Sequence, residues 1–163
     1  MKEIVNLTSM TNYLQTKYNI NGVVSSLDKI LAEMFKRKKP MNEILERDAP
    51  YPLSEDLKKL AKEHDANIEN DIEADKFFGA VRKSILSLPI LTVTTGVPPT
   101  LEVIKEINSW VIANIKGFVA LDFITDRSLI AGAKIDFNGK SRDYSVRKET
   151  TGVATTENTD VNI

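Results

Sequence analysis

One histidine is available for acid–base or metal chemistry, and it stands in Glu63-His64-Asp65. A general base needs an apolar cleft and an oriented partner, and zinc needs further nitrogen or sulfur ligands. The chain has no cysteine to supply a thiolate. His64 therefore reads as an exposed histidine near a helix end. The acids Glu63, Asp65, Glu69, Asp71, Glu73 and Asp75 crowd the same region. They lack the spacing and central glycine of a calcium loop, and read as a solvated helix face. The run Lys36-Arg37-Lys38-Lys39 could meet phosphate or acidic lipid, yet four cations also suit the negative end of a helix dipole. Seven glycines form neither GxGxxG nor a P-loop, and TTGVPPT (94–100) lacks the lysine that reaches a phosphate. Ser128 and Ser145 occupy no GxSxG elbow and have no histidine in support. The sequence predicts no catalytic residue, no cofactor and no metal site.

Charge narrows the partners. Twenty-two Lys and Arg against 23 Asp and Glu leave a net charge of −1, which speaks against bulk phosphate neutralisation of a nucleic acid. Hydrophobic residues make up 42% of 163, enough for a core in one domain or two small ones. Absence of cysteine leans towards a reducing compartment. Polar and charged residues interrupt the first twenty positions, and no apolar run has the length of a membrane span. The expectation is a soluble, cytoplasmic protein.

Two kinds of pattern must position these residues. Over 1–88 the period is helical. Residues 8–18 suggest a short helix capped by Thr8 or Ser9. Val23, Val24, Leu27, Ile30, Leu31, Met34 and Phe35 make one stripe, with Gly22 just before it and KRKKP (36–40) closing it. MNEILERD (41–48) suggests a short helix and APYP (49–52) a loop. Ser54 offers the next cap, ahead of Leu57, Leu60 and Ala61. Ile68, Ile72, Phe77, Phe78, Val81, Ile85 and Leu88 then describe a longer helix, ended by Pro89. These residues predict a helical bundle with Phe77 and Phe78 in its core.

At Pro89 the period changes. ILTVTTGV (90–97) alternates as a strand, and Thr100 caps a helix carrying Leu101, Val103, Ile104, Ile107, Trp110, Val111 and Ile115. GFVALDFIT (117–125) is a second strand. Residues 129–137 and 140–147 are a third and a fourth, joined by Asn138-Gly139, a pair suited to a two-residue hairpin turn. That turn sets Phe137 opposite Lys140, Ile135 opposite Arg142, Lys134 opposite Asp143, Ala133 opposite Tyr144 and Ala131 opposite Val146. One face then carries Leu129, Ala131, Ala133, Ile135, Phe137, Tyr144 and Val146, for the helix over 100–115 to cover. The fold class is α+β: a helical bundle over 1–88, an α+β unit with a mixed or antiparallel sheet over 89–148, and a polar, threonine-rich disordered tail over 149–163.

The stretch Asp126-Arg127-Ser128-Leu129-Ile130-Ala131-Gly132, followed by a strand, a turn and Asp143-Tyr144-Ser145-Val146-Arg147, resembles the C-terminal signature of the F-type ATP synthase δ subunit family. The mitochondrial counterpart of that family is the oligomycin-sensitivity-conferring protein. Its pattern, D-x-S-[LI]-[IL]-[GA]-G and then D-x-S-[VL]-[RK], is matched by Asp126, Ser128, Leu129, Ile130, Gly132, Asp143, Ser145, Val146 and Arg147. The order strand, capped helix, strand over 90–125 is also similar to the family's.

The resemblance implies a non-catalytic stator subunit of the peripheral stalk. Its bundle would grip the N-terminal segments of the α subunits, and its C-terminal unit the C-terminal helices of the b subunits. It would bind no nucleic acid and insert into no bilayer, standing at the cytoplasmic side of the cell membrane in proton-driven ATP synthesis. The motif residues then read chiefly as fold determinants. Gly132 suggests a bulge or close backbone approach, and Asp126 and Ser128 a turn launching the third strand. Asp143 lies across from Lys134, and Arg147 is free to reach a helix end or a partner carboxylate. The alternative is a small nucleic-acid-binding α+β module using Lys36–Lys39, Lys140, Arg142 and Arg147.

Overall fold

The computed structural model describes residues 5–36 and 39–147. The expected tail over 149–163, together with Arg37 and Lys38, lies outside the described residues. The class is α+β: helices occupy the first half, and a four-stranded mixed sheet with one covering helix the second.

A 3₁₀ turn over Thr8–Tyr13 leads into α1, Lys17–Phe35. The helix starts earlier than the expected stripe at Val23, and Gly22 lies inside it. The reason is Thr16, whose Oγ1 accepts the Asn19 N–H at 3.2 Å, and Ile20, which extends the buried line to Val23, Leu27, Ile30 and Met34. Helix α2, Met41–Asp48, has the expected bounds. Helix α3, Leu53–Glu63, starts at Pro52 instead of Ser54. The Pro52 carbonyl accepts the Glu55 and Asp56 N–H groups, both at 3.1 Å, and Ser54 is buried. Helix α4, Asp71–Leu86, is capped by Asn70 Oδ1, which accepts from Ile72 N–H at 3.0 Å and Glu73 N–H at 3.2 Å. Ile72 is exposed, contrary to the expected stripe: it precedes Ala74 by two residues and so points roughly 200° away from the buried line.

Helix α1 packs on α2 and α4. Phe78, Leu27, Ile30, Leu45, Leu57 and Leu60 are completely enclosed, and the Phe77 ring meets Phe78 edge-on at 5.2 Å. The two phenylalanines are core residues, as their spacing predicted. Val5, Leu7, Met10 and Leu14 enter the same core from the leading segment.

Strand β1, Ile90–Thr95, pairs in parallel with β2, Ala120–Thr125, across the helix α5, Leu101–Asn114. On its other side β1 pairs antiparallel with β4, Ala133–Phe137, which pairs with β5, Lys140–Asp143. The order is β2-β1-β4-β5. Asn138 (φ +49°) and Gly139 (φ +76°) close the two-residue turn in the conformation such hairpins require. The register is the expected one: Phe137 opposite Lys140, Ile135 opposite Arg142, Lys134 opposite Asp143.

Beyond that register the expected pair of long strands is broken. Residues 129–137 divide into β3, Leu129–Ala131, and β4; residues 140–147 divide into β5 and β6, Val146–Arg147. Strands β3 and β6 form a separate two-stranded ribbon. The sheet core is Leu91, Val93, Val111, Val119 and Leu121, with Ile107, Ile135 and Phe137 against it. Ala131, Tyr144 and Val146, expected on the covered face, are exposed: the chain bends at Gly132, and Ala131 and Val146 belong to the separate ribbon instead of the four-stranded sheet. Leu101 and Trp110 are likewise exposed. Only Val111 of α5 is buried, and Trp110 lies roughly 100° round the helix from it.

Strand β2 and the residues leading into it serve both cores in alternation. Phe118 and Ala120 pack with the helices, whereas Val119, Leu121 and Phe123 pack under α5. A strand puts successive side chains on opposite faces, so one short segment becomes the common wall.

Candidate interaction surfaces

The signature residues meet at one junction. Asp126 Oδ1 accepts the Ser128 N–H at 2.9 Å, closing a side-chain turn from which β3 departs. Asp143 Oδ1 accepts the Ser145 N–H, also at 2.9 Å, and the Ser145 hydroxyl at 2.5 Å; β6 departs from there. The two Asp-x-Ser elements are thus the same device used twice, and the strands they launch pair with each other: Leu129 opposite Arg147, Ala131 opposite Val146, with a register shift between.

Gly132 lies between ribbon and sheet with φ +78°, and a Cβ there would stand 2.0 Å from the Tyr144 carbonyl oxygen. Of the two alternatives suggested for this glycine, close backbone approach is the one found. The register shift falls earlier, between Leu129 and Ala131, and the register is continuous across Gly132 from Ala131–Val146 to Lys134–Asp143. Leu129 is buried. Ile130 and Val146 stand 63% and 55% exposed on the ribbon, and Tyr144, between β5 and β6, 60%. Lys134 Nζ is 3.6 Å from Asp136 Oδ2, its neighbour on β4. The side chain of Arg147, and with it the reach expected of it, lies outside the described structure.

The groups with potential chemistry are dispersed. His64 is exposed at the end of α3, its Nε2 3.4 Å from the Asn6 carbonyl oxygen and its ring 6.4 Å from Phe77. It borders an open cavity of about 290 Å³ with Glu73, Lys76 and Phe77. Among the described residues, no three His, Asp or Glu side chains converge as metal ligands. Of the acidic run, Glu73 accepts the Asn67 N–H at 3.2 Å and Glu69 accepts from Asn42 at 3.4 Å. Lys36 pairs with Glu33 at 2.5 Å, and Lys39 pairs with Glu43. Arg47 reaches the same Glu33 at 2.9 Å. Hydrogen bonds from Lys36 first, and then Arg47, hold the Glu33 carboxyl down at about 2.

A second, more apolar cavity of about 570 Å³ lies between the two cores, bordered by Leu14, Val111, Ile112, Ile115 and Phe118. Beside it the chain before α1 meets the outer edge of β2. Thr16 bridges Leu121, Leu121 N–H donates to the Gln15 carbonyl at 2.9 Å, and Lys17 Nζ lies 2.7 Å from Asp122 Oδ2. None of these residues stood out in the sequence. The available signal was Asp122, an acid inside the apolar run FVALDFI.

No protein-family model matches the chain, and no curated protein matches it.

Proposed function

We propose that this chain is a non-catalytic stator subunit similar to the F-type ATP synthase δ subunit, linking the catalytic head to the b-subunit stalk. The observation that carries the reading is the junction at Gly132. The residues that resemble the δ signature are those that build it: two Asp-x-Ser turns, a glycine pressed on a carbonyl, and the strands between. A signature made of fold determinants belongs to a scaffold, and holding partners requires no activated side chain.

In this reading residues 1–88 act as a helical bundle that receives the N-terminal segments of the α subunits, a helix-in-groove mode of recognition. Residues 89–148 hold the ends of the b helices. Exposed apolar side chains on α5 and the ribbon, Leu101, Trp110, Ile130 and Val146, offer contact area for such helices. Among the described residues no helix is long and apolar enough to cross a membrane, which fits a peripheral station on the cytoplasmic side.

Calorimetric titration of the full chain with synthetic α N-terminal and b C-terminal segments tests the proposal. The expected result is saturable one-to-one binding of each segment, neither displacing the other. Silence towards both, with RNA binding that collapses on adding salt, would replace the stator by the nucleic-acid module.

A further inference from the structure

Two contacts join the leading segment to a strand more than a hundred residues later, and they use the same short stretch that starts α1. Thr16 is extended (φ −128°, ψ 152°). That conformation serves two purposes at once: it places Oγ1 to cap Asn19, and it lays the backbone parallel to Leu121 as a bridge. The Leu121 N–H points outward from the sheet and is taken by the Gln15 carbonyl at 2.9 Å. One residue further, Lys17 meets Asp122 at 2.7 Å. Behind this edge, Ala120 is buried among the helices while Leu121 is buried under α5. The start of α1 is therefore fastened to the one strand that walls both cores.

We propose that Gln15–Lys17 is a clasp that holds the helical core and the sheet in a single orientation, so that the two move as one rigid body. The inference goes beyond the stator reading and does not depend on it. A main-chain bond fixes height along β2, and the ion pair fixes rotation about it. With the clasp open, the sheet keeps the turn at Ser87–Pro89 and the packing of Phe118 and Ala120 among the helices, contacts that let the cores rock against each other once height and rotation are no longer fixed.

The absence of cysteine makes the test direct. Cysteines replacing Lys29 on α1 and Lys140 on β5, both exposed, carry spin labels in the full chain, and the inter-label distance distribution is recorded. Hydrogen exchange of the Leu121 amide is followed alongside. A single narrow distribution is expected. Lys17→Glu, which sets like charges together, should broaden it and speed Leu121 exchange several-fold, while circular dichroism stays that of the folded chain. Lys17→Glu with Asp122→Lys should restore both readings. A broad distribution in the unaltered protein would overturn the clasp. So would a Lys17→Glu distribution equal to the unaltered one, whatever its amide exchange.

Discussion

The carbonyl oxygen of Tyr144 occupies the space a side chain on Gly132 would need, 2.0 Å from the position of its Cβ. The chain can pass there only without a side chain, and only at a left-handed φ of +78°. This single crossing divides the hairpin into a sheet portion under α5 and a ribbon beyond it.

Gly132→Ala should lower stability by about 1–3 kcal/mol, through both backbone strain and the displaced carbonyl. Urea unfolding of the two proteins measures it. An unchanged midpoint would mean that the ribbon contributes nothing to the cooperative fold.

Glycine in the helices behaves oppositely. Gly22 in α1 and Gly79 in α4 have nothing within 4 Å of an added Cβ. Alanine at either position should raise stability by roughly 0.5–1 kcal/mol, since glycine loses more freedom on folding. Thermal unfolding distinguishes the signs.

Phe78→Ala should cost about 3–5 kcal/mol, because the ring is wholly enclosed and its removal leaves a cavity. Ile72→Ala, on the solvent side of the same helix, should stay within roughly 0.5 kcal/mol of the parent. Equal effects would contradict the helix phase.

Acid should expose the Glu33 pairings. Its folded-state value, held near 2 by Lys36 and then Arg47, lies below the ordinary 4.5. A group so depressed adds stability in full above its unfolded value and loses it as pH falls through the folded one. The loss therefore spans pH 4.5 down to about 2. Glu33→Gln should flatten that stretch of the urea-midpoint profile. At neutral pH the change should be small, since water screens this exposed group.

Much of this architecture is legible in the residues. Local signals that act alone were reliable: Asn138-Gly139 specified its turn and four paired positions of register, Thr100 capped α5 through a bond to Val103 N–H at 3.4 Å, and Phe77 and Phe78 took the core. The misreadings arise where a distant neighbour decides. Alternation over 129–137 and 140–147 suggested two unbroken strands, but Gly132 against Tyr144 breaks both, and the apolar Val146 beyond the break faces solvent. Pro52, with no side-chain bond to offer, starts α3 because Leu53 must be buried. The contact of Gln15–Lys17 with β2 has no periodicity, and these residues entered the sequence reading only as part of a short helix expected over 8–18. The junction residues Asp126, Ser128, Asp143 and Ser145 showed themselves as turn formers; which strands they launch together only the fold reveals.

The sheet has two rims, and each is guarded differently. Strand β5 bears Lys140, Arg142 and Asp143 along its open side, charges that discourage a neighbouring molecule from adding a strand. Strand β2 carries apolar residues instead and depends on the segment before α1 to occupy part of its hydrogen-bonding row. A chain shortened to begin at Lys17 would bare that rim, and with it a template for intermolecular strand stacking. Because the same cut strips Val5, Leu7, Met10 and Leu14 from the helical core, the shortened chain should be both less stable to urea and quicker to form thioflavin-positive fibrils than the intact chain.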